Sequence, residues 1–426
     1  MPEDHFGEIS LKILIVSQYF WPESFGINRQ AQDLLAQGVD VTVLTGKPNY
    51  PGGEVYKGYS AWVPSVESHN GMKIFRLPLI TRGKGSSIRL ALNYLSFVFF
   101  GLMLGPWLLR RQKFDSVLVY APSPILQAIP AIFIAWIKKM PLVVWVQDLW
   151  PQSLVATGFV RNKLILAAVD WVVRWIYRRS DLLLVQSRAF IATVRQQSGS
   201  SLTPIHYFPN SAEWDSAAAG RCEPRVSQLT DRMKKRFAVV FTGNVGIAQS
   251  IHTILDAAEI CSEVEKVCFY VVGSGSESDW LSQEIHRRGL KNLIATGWLP
   301  TETMYSVWGA ASALLVTLRD EPIFHQTIPN KLQCYLAAGK PIIACLGGEG
   351  AEVVKDASAG IACNPENASA LANAVKAMAA MHPSELLQLG SNGRLYFEEH
   401  FEPQVLTANL IQLMSDLIVS NAKYKT

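Results

Sequence analysis

The sequence predicts an α/β protein with two Rossmann-like, doubly wound domains that face a cleft. Three observations predict this fold class. At 426 residues, the chain is too long for one ordinary hydrophobic core and long enough for two. A βαβ rhythm opens the chain, and a second one starts after residue 236. With 49% hydrophobic and 17% charged residues, the composition is that of a globular protein.

The first domain is predicted over residues 1–212. Its first element, LKILIVS, is a continuous apolar run of strand length, which favours a strand buried on both faces of a sheet. A helical pattern that ends at Gly38 and a second strand, VDVTVLTG, complete a βαβ unit. Such a unit predicts a parallel sheet. Further strands are predicted at 72–78, 116–121, 142–148, 182–187 and 205–211.

The second domain is predicted over residues 237–400, after a polar linker at 213–236. It opens with the buried strand FAVVFTG. We expect a C-terminal helix within 401–426 to pack across both domains. Ligands of open α/β sheets bind outside the carboxyl ends of the strands, so the loops at those ends should line the cleft. The other strands are predicted at 267–275, 293–300, 313–318 and 341–347, with a helix at 331–339.

Charge and cysteine content narrow the class of partner. Residues 11–220 carry 21 Lys and Arg against 11 Asp and Glu, whereas residues 221–426 carry 18 against 21. The basic half suits a phosphate-rich partner or an anionic membrane surface. No basic run of five residues is present, so no nucleic-acid partner is expected. All six cysteines lie after residue 221 without a CxxC pair, which argues against disulfides and a zinc site and for a reducing compartment.

One apolar segment, residues 88–109, is nearly long enough to span a bilayer. Asn93 and Pro106 interrupt it, and basic residues follow it. A membrane span, a buried helix and a helix in the membrane interface remain open, and the aromatic residues and basic end favour the interface. Residues 164–179 again mix Trp and Tyr with Arg. The first ten residues lack an apolar core, so we expect no signal peptide.

Two glycine-rich loops of the second domain are candidates for donor binding. GNVGIAQS follows its first strand, where Gly243 would allow a diphosphate to approach the backbone, and Asn244 and Gln249 offer neutral donors. A tight turn before a capped helix is the alternative. Gly273 and Gly275 follow the next strand and leave room for a ligand, although a GxG at a strand end is common.

The most specific segment is TIPNKLQCYLAAGKPIIA, which predicts a helix that begins after Pro329. Lys331 falls in the first turn, where the helix dipole disfavours a cation unless an anion lies close by. Lys331 is therefore a candidate phosphate ligand. The flanking residues Thr327, Ile328 and Asn330 are candidate donor contacts.

Candidate residues of the first domain lie after its strands. Gly26 and Asn28 begin a helix whose N-terminus favours an anion, although a plain turn is the alternative. Asn49 follows the second strand, and no acidic residue ends that strand, so a dinucleotide cofactor is not expected. Gln147 and Asp148 follow a buried strand, where Asp148 could position an acceptor hydroxyl, take its proton or cap the next helix.

A metal-dependent diphosphate site is also not expected. The chain contains no DxD motif, and no pair of histidines has metal-ligand spacing. We therefore expect neither a metal ion nor another cofactor.

Six segments in sequence resemble glycosyltransferase family 4, whose members have the GT-B fold. They are QYFWPESFGIN, LTGKPNYPGGEVYKGYSAW, VQDLWPQS, FPNSAEW, FTGNVGIAQS and IPNKLQCYLAAGKPIIA. The resemblance covers the chain from Leu11 to about residue 415 and is strongest to the branch that builds surface polysaccharides, such as colanic acid and O-antigen fucosamine transferases.

This resemblance implies a hexosyltransferase-type enzyme that retains anomeric configuration without a metal. The second domain would hold a nucleotide-sugar donor, with UDP expected and an N-acetylated deoxyhexosamine as one candidate sugar. The basic first domain would hold a lipid-linked diphosphate glycan at the inner face of the cytoplasmic membrane, for O-antigen, lipopolysaccharide, capsule or exopolysaccharide synthesis. The nucleobase would lie near Gly273, Gly275, Trp298 and Leu299.

Departures from the family shift the expected site. Asn244 and Gln249 stand where the wider family has Arg and Lys, and Gln147 stands where it has His. Gln326 and Cys334 replace its two Glu residues. Lys331 would therefore carry a larger share of the diphosphate charge. A nucleotide-sugar 2-epimerase on the same fold and a non-catalytic partner in polysaccharide assembly are the alternatives.

Overall fold

The computed structural model describes residues 11–83, 87–156, 160, 162–199, 202–212 and 223–423. Contacts divide the chain into two compact units: unit 1 is Met1–Pro209 with Leu406–Thr426, and unit 2 is Asn210–Val405. The expected leader, 1–10, and residues 213–222 of the expected linker lie outside the described residues.

The rest of the expected linker is not a plain connection. It contains a helix, Pro224–Met233, with Pro224 in its first turn and with Val226 and Met233 buried. Its polar composition hid an amphipathic pattern in which only every third or fourth residue is apolar. This helix belongs to unit 2.

Unit 1 is built on an eight-stranded sheet with the order β3-β4-β2-β1-β5-β6-β7-β8. Neighbouring strands are parallel except for the β3–β4 pair at one edge. The strands are β1 Lys12–Val16, β2 Asp40–Gly46, β3 Ser65–His69, β4 Met72–Leu77, β5 Ser116–Ala121, β6 Leu142–Val146, β7 Leu182–Val185 and β8 Ile205–Tyr207. The helices are α1 Gly26–Ala36, α2 Ser87–Leu108, α3 Ala128–Lys138, α4 Gln152–Ala156, α5 Lys163–Arg178, α6 Phe190–Ser198 and α16 Pro403–Lys423.

Both faces of this sheet are covered, which explains why its central strand β1 is apolar from Ile13 to Val16. Ile13 and Ile15 of β1 belong to one core cluster, and Leu14 and Val16 belong to the other. The first cluster includes residues of α1 and of α16, and the second includes residues of α2, α3 and α5. A strand buried on both faces needs apolar residues at every position, as the sequence predicted.

The C-terminal helix α16 completes the core of unit 1. Leu410 and Met414 are fully buried in the cluster that contains Ile13. Gln30 of α1 donates a hydrogen bond of 2.9 Å to the Thr407 hydroxyl, and both side chains are buried. The part of α16 that contains Thr407, Leu410 and Met414 therefore stabilises the N-terminal unit.

Helix α2 packs on unit 1 through its small residues. A Cβ atom on Gly101 would lie 2.7 Å from Pro130 of α3, and one on Gly105 would lie 3.1 Å from Ile134, so both glycines allow close helix packing. The opposite face is exposed, and 28% of the most apolar window of α2 is buried. The interpretation of α2 as a buried helix therefore holds for one face only, which packs in the core cluster of unit 1. Its exposed apolar residues are Ile88, Leu92, Leu95, Phe99, Met103 and Trp107.

Unit 2 contains a six-stranded, wholly parallel sheet with the order β11-β10-β9-β12-β13-β14. The strands are β9 Phe237–Thr242, β10 Val267–Val272, β11 Leu293–Gly297, β12 Ala313–Thr317, β13 Ile342–Cys345 and β14 Gly360–Cys363. The helices are α7 Pro224–Met233, α8 Ile251–Ile260, α9 Ser278–Arg287, α10 Met304–Ala310, α11 Pro322–His325, α12 Asn330–Ala337, α13 Glu349–Asp356, α14 Ala368–Ala380 and α15 Pro383–His400.

Each sheet has one point where the strand order reverses. In unit 1 it lies between β1 and β5, and in unit 2 it lies between β9 and β12. Loops that leave neighbouring strands in opposite directions open a crevice there, which is where ligands of doubly wound sheets bind. The predicted site residues lie on loops and in the first turns of helices that follow these and neighbouring strands.

Candidate functional site

The carboxyl edge of the unit 2 sheet brings Lys331 next to the glycine loop after β9. Lys331 lies in the first turn of α12, and its Nζ donates a hydrogen bond of 2.6 Å to Gln249 Oε1. The same Nζ lies 3.9 Å from the centre of the Phe241 ring. A Cβ atom on Gly243 would lie 3.2 Å from it. Three predicted donor residues, Gly243, Gln249 and Lys331, are therefore neighbours.

The charge of Lys331 is poorly compensated within the described part of unit 2. No carboxylate lies within salt-bridge distance of it there, and its ammonium group contacts a neutral amide and an aromatic ring. Burial lowers the pKa of Lys331 to about 7. An anionic ligand would strongly stabilise the protonated form of such a lysine, because a diphosphate would supply the missing counter-charge.

The two glycine loops pack backbone against backbone. Gly273 has φ +143°, and a Cβ atom there would lie 1.8 Å from the carbonyl oxygen of Gly243. A Cβ atom on Gly275 would lie 2.4 Å from the carbonyl oxygen of Val245. Both positions therefore require glycine for the packing of the loops themselves. Asn244 is part of this packing, since its side chain lies where a Cβ atom on Gly246 or Gly275 would clash with it.

The residues that lead into α12 differ in accessibility. Thr327 is half-buried, and its hydroxyl donates to the carbonyl oxygen of Phe324 at 3.3 Å. Ile328 is buried, so its side chain belongs to the core and only its backbone can reach a ligand. Asn330 is exposed at the first position of α12, after Pro329.

The two candidate nucleobase residues that follow β11 differ in exposure. Trp298 is 63% exposed, whereas Leu299 is buried. Both follow β11, whose last residue, Gly297, accepts a hydrogen bond of 2.9 Å from the backbone N–H of Gly273. Trp298 is therefore an accessible aromatic surface on the loop next to Gly273, whereas the side chain of Leu299 belongs to the core.

In unit 1, the predicted residues Gly26 and Asn28 have different roles. Gly26 is the exposed first residue of α1, and a Cβ atom there would lie 3.4 Å from the Tyr120 hydroxyl. The Asn28 side chain accepts a hydrogen bond from the Trp21 backbone and donates one of 2.6 Å to the carbonyl oxygen of Glu23. Asn28 thus closes the loop before α1, and Gly26 leaves open space at its end.

Asn49 and Gln147 are both buried. The Asn49 side chain accepts from the Arg82 backbone N–H at 3.1 Å and donates to the carbonyl oxygen of Lys47. It therefore braces a loop rather than presenting a polar group to solvent. The Gln147 amide nitrogen is buried and has no hydrogen-bond partner among the described residues. An unpaired buried amide is unusual and identifies a polar group that a ligand could satisfy.

Asp148 binds the loop after β5. Its Oδ2 accepts two hydrogen bonds of 3.0 Å from Ser123, one from the backbone N–H and one from the hydroxyl. The Ser123 hydroxyl in turn accepts from the Trp150 indole at 3.0 Å. These bonds orient one carboxylate oxygen at the strand-order reversal of unit 1. The hydrogen bonds that Asp148 accepts thus come from the loop after β5 at Ser123.

The sequence analysis missed two buried residues that shape this edge. Glu23 accepts hydrogen bonds of 2.7 Å from the backbone N–H groups of Asn49 and Tyr50, and burial raises the pKa of its carboxyl. Asn93 of α2 accepts from Gln18 at 2.7 Å and donates to the carbonyl oxygen of Ile80 at 2.6 Å. A glutamate next to aromatic residues and an asparagine inside an apolar helix were the available signals, but neither identified its partners.

Metal ligands do not gather in the parts of the chain described above. Among those residues, no group of three or more His, Cys, Asp and Glu side chains is placed to hold a metal ion.

Two family models match the chain. One, described as a glycosyl transferase 4-like domain, matches residues 26–211, and the other, described as glycosyl transferases group 1, matches residues 236–381. The probable glycosyltransferase WbjE of Pseudomonas aeruginosa is 23% identical over 345 residues, which cover 80% of this chain and 84% of that protein. The putative colanic acid biosynthesis glycosyl transferase WcaI of Escherichia coli is 24% identical and covers 77% and 82%.

Solved structures share the fold across both units. Trehalose-6-phosphate synthase from Burkholderia multivorans superimposes with a TM-score of 0.74 at 12% identity, over 98% of each chain. Anabaena HepE, solved in complex with UDP, superimposes with a TM-score of 0.64 at 14% identity, over 96% of this chain and all of the other.

The two family models and the two relatives identify the class of protein, which is a glycosyltransferase. The chain belongs to glycosyltransferase family 4 and has the GT-B fold. The prediction of a hexosyltransferase-type glycosyltransferase is therefore confirmed.

Proposed function

We propose that this glycosyltransferase transfers a sugar from a UDP-linked donor to a lipid-linked glycan in the synthesis of a bacterial surface polysaccharide. The observation that carries the proposal is the position of Lys331, a weakly compensated cation beside Gly243 at the strand-order reversal of unit 2. The relatives WbjE and WcaI support it, since the latter is named for colanic acid biosynthesis. The UDP complex of HepE supports the choice of UDP.

In the proposed site, unit 2 holds the donor. The diphosphate lies between the Gly243–Asn244 turn and the beginning of α12, and the base lies against Trp298. Lys331 carries a positive charge once the diphosphate is bound, because an anion next to its ammonium group favours the protonated form. We propose that this ammonium group and the helix N-terminus stabilise the leaving diphosphate without a metal ion.

Unit 1 holds the acceptor in this proposal. Asp148 has one carboxylate oxygen fixed by Ser123, so its other oxygen can accept a hydrogen bond from the acceptor hydroxyl. In the reaction, the bond from the anomeric carbon to the donor diphosphate breaks and a bond to the acceptor oxygen forms. The acceptor proton passes to the departing diphosphate, and the anomeric configuration is retained.

The exposed face of α2 supports an acceptor in the membrane. Two further helices of unit 1 also carry exposed tryptophans, with Trp136 of α3 71% exposed and Trp171 of α5 67% exposed. Arg110 follows α2 and packs over the Trp107 ring at 4.3 Å. Aromatic residues beside basic ones are typical of helices in the interface of anionic membranes. We propose that unit 1 binds the inner face of the cytoplasmic membrane in this way.

Turnover of defined substrates tests the proposed activity. A thermal-shift screen of nucleotide-sugars, with a UDP-linked N-acetylated deoxyhexosamine included, first selects the donor by the stabilisation that it causes. The purified chain is then incubated with this donor and a synthetic lipid-diphosphate sugar, and the lengthened glycan is measured. Isomerised donor without acceptor would instead indicate an epimerase. Donor binding without turnover on any acceptor would indicate a non-catalytic partner in polysaccharide assembly.

Flotation with anionic vesicles tests the membrane proposal. Replacing Phe99 and Met103 with Asp should abolish flotation, because two exposed apolar contacts are exchanged for charges. The matched control replaces Leu387 and Leu395 of unit 2, which are also exposed, with Asp. This variant should float as the wild type does. Carbonate treatment should release the wild-type chain from membranes, and retention would instead indicate a spanning helix.

A further inference from the structure

A cluster of polar and aromatic residues surrounds Arg82 at the carboxyl edge of the unit 1 sheet. Tyr19 follows β1, Tyr50 follows β2, Arg82 follows β4, and Tyr94 lies on α2. The Tyr19 and Tyr50 rings are 5.8 Å apart, and both contact Phe25. Four chain segments far apart in sequence thus meet beside the strand-order reversal, where the fold favours a ligand.

Arg82 is held in place but keeps its charge uncompensated. Its backbone N–H donates to Asn49, and its guanidinium group lies over the Tyr50 ring at 4.8 Å. No carboxylate within the described ranges of the chain lies within salt-bridge distance of it. Arg76 differs, because it is fully buried and pairs with Glu67 at 2.6 Å. A half-buried arginine fixed against a ring is ready to bind an anion, since little rotamer entropy remains to be lost.

The buried carboxylate of Glu23 lies on the same edge but already has other partners. Both oxygens of Glu23 accept hydrogen bonds from backbone N–H groups, those of Asn49 and Tyr50 on one oxygen and that of Phe20 on the other. This carboxylate is therefore already committed to holding two loops together.

Polar atoms without partners lie on the same edge. Gln18 Oε1 and Gln147 Nε2 are buried and make no hydrogen bond with the described residues. The Tyr19 and Tyr94 hydroxyls interact with each other, burial raises both of their pKa values, and the charge of Arg82 opposes both shifts. The two hydroxyls are therefore protonated and within electrostatic range of Arg82. A cation and two unsatisfied amide atoms together indicate a ligand with a negative charge and hydroxyl groups.

We propose that Arg82 binds the phosphate that adjoins the acceptor sugar, which in the proposed lipid-linked acceptor is the diphosphate. This inference rests on the proposed function for the identity of the acceptor. Tyr94 lies within electrostatic range of both Arg82 and Asp148. Arg82 would thus fix the phosphate end of the acceptor sugar, and Asp148 would receive its reactive hydroxyl. The next turns of α2 carry the exposed Leu95 and Phe99, along which the lipid chain would leave towards the membrane.

Binding of simple probes tests Arg82 without any need for turnover. Affinities for farnesyl diphosphate, farnesol and UDP are measured by isothermal titration on the full chain, for the wild type, Arg82→Ala, Arg82→Lys and Arg29→Ala. Arg29 is an exposed arginine of unit 1 that pairs with Asp33, and it serves as the control. Arg82→Ala should weaken farnesyl diphosphate binding by roughly 10- to 100-fold, the contribution expected of charge-assisted hydrogen bonds.

The other arms identify the source of any loss. Farnesol and UDP should bind equally well to all four proteins, and Arg82→Lys should recover part of the affinity for farnesyl diphosphate. Wild-type affinity of Arg82→Ala for farnesyl diphosphate would overturn the proposal, as would an equal loss for UDP, which would assign Arg82 to the donor. If Arg82-dependent binding is found but no lipid-linked acceptor is extended, the proposed function fails and this inference stands.

Discussion

The two carboxyl edges of this enzyme are built by different means. The unit 2 edge is made of backbone: Gly243, Gly273 and Gly275 pack loop on loop, and one cation, Lys331, lies beside them. The unit 1 edge is made of side chains, with buried amides, a buried Glu23 and a set of tyrosines. Backbone N–H groups suit a ligand feature that never changes, such as a diphosphate. Side chains suit one that differs between enzymes, such as an acceptor glycan.

If the backbone-built edge depends on a single cation, Lys331→Met should have the largest effect on turnover. We expect kcat to fall roughly 10²- to 10³-fold, the cost of removing one electrostatic contact to a leaving group. Steady-state kinetics measure this change. Lys340→Met, after the other end of α12, removes the same charge while keeping an apolar stem and should stay within a few-fold of the wild type. Equal losses in both variants would show that general charge, not position, matters.

The same edge should not tolerate a side chain at Gly273. Gly273→Ala places a Cβ atom 1.8 Å from the Gly243 carbonyl oxygen at a φ of +143°. We expect the free energy of unfolding to fall by about 3 kcal/mol or more, from a clash together with backbone strain. Urea denaturation measures it.

Gly309→Ala is the matched control for this glycine. Gly309 lies on α10 with no atom within 4 Å of its Cβ position, and alanine there should stabilise the helix by roughly 0.5–1 kcal/mol. A Gly273→Ala protein as stable as the wild type would contradict the backbone-on-backbone account of this edge.

The side-chain-built edge should instead respond to Asn93→Ala. This change leaves the Gln18 amide and the Ile80 carbonyl without their buried partner, which should cost about 1–3 kcal/mol of unfolding free energy. The KM for acceptor should rise, while the affinity for UDP should not change. Asn392→Ala on α15 also removes two hydrogen bonds, but these face solvent, so its effect should stay within about 0.5 kcal/mol. A loss of UDP affinity in Asn93→Ala would contradict the assignment of acceptor binding to the unit 1 edge and donor binding to the unit 2 edge.

The sequence predicted these two edges unequally for a physical reason. Strands β1, β5 and β9 are apolar apart from one terminal residue each, and Lys331 is conspicuous because a cation is unfavourable in the first turn of a helix. Both signals are local. Strand β3 was missed because its exposed, alternating residues, Ser65–His69, form the antiparallel edge of the sheet.

Side-chain networks depend on distant partners and are not visible locally. Glu23 binds backbone groups 26 and 27 residues away, and Gln18 binds Asn93 across 75 residues. Nothing in the sequence near Glu23 identifies Asn49 as its partner. The partners of Asn49 are also not visible in the sequence. It was predicted on the acceptor side, and its buried side chain accepts a hydrogen bond from the distant Arg82 backbone.

The smallest effect should be a pH dependence that is confined to the unit 2 edge. Burial lowers the pKa of Lys331 from its ordinary value of 10.5 to about 7. In the free enzyme this lysine therefore loses its proton as the pH rises through 7, whereas a bound diphosphate keeps it charged. Affinity for a UDP-sugar, whose diphosphate does not titrate in this range, should fall about tenfold between pH 6 and pH 8. Lys331→Met should show no such slope.

Stability should change with pH in the opposite direction. Because the folded pKa is lowered, the unfolded chain binds more protons at Lys331 between about pH 7 and 10.5, so this residue makes the free energy of unfolding rise with pH across that window. Wild type minus Lys331→Met isolates its contribution from that of other groups. Without ligand, the difference in thermal stability between the wild type and Lys331→Met should therefore rise with pH. The stabilisation that UDP-sugar gives to the wild type should shrink with pH. If both stayed flat across this window, the lysine would be charged throughout, and the weakly compensated cation on which the donor site depends would not exist.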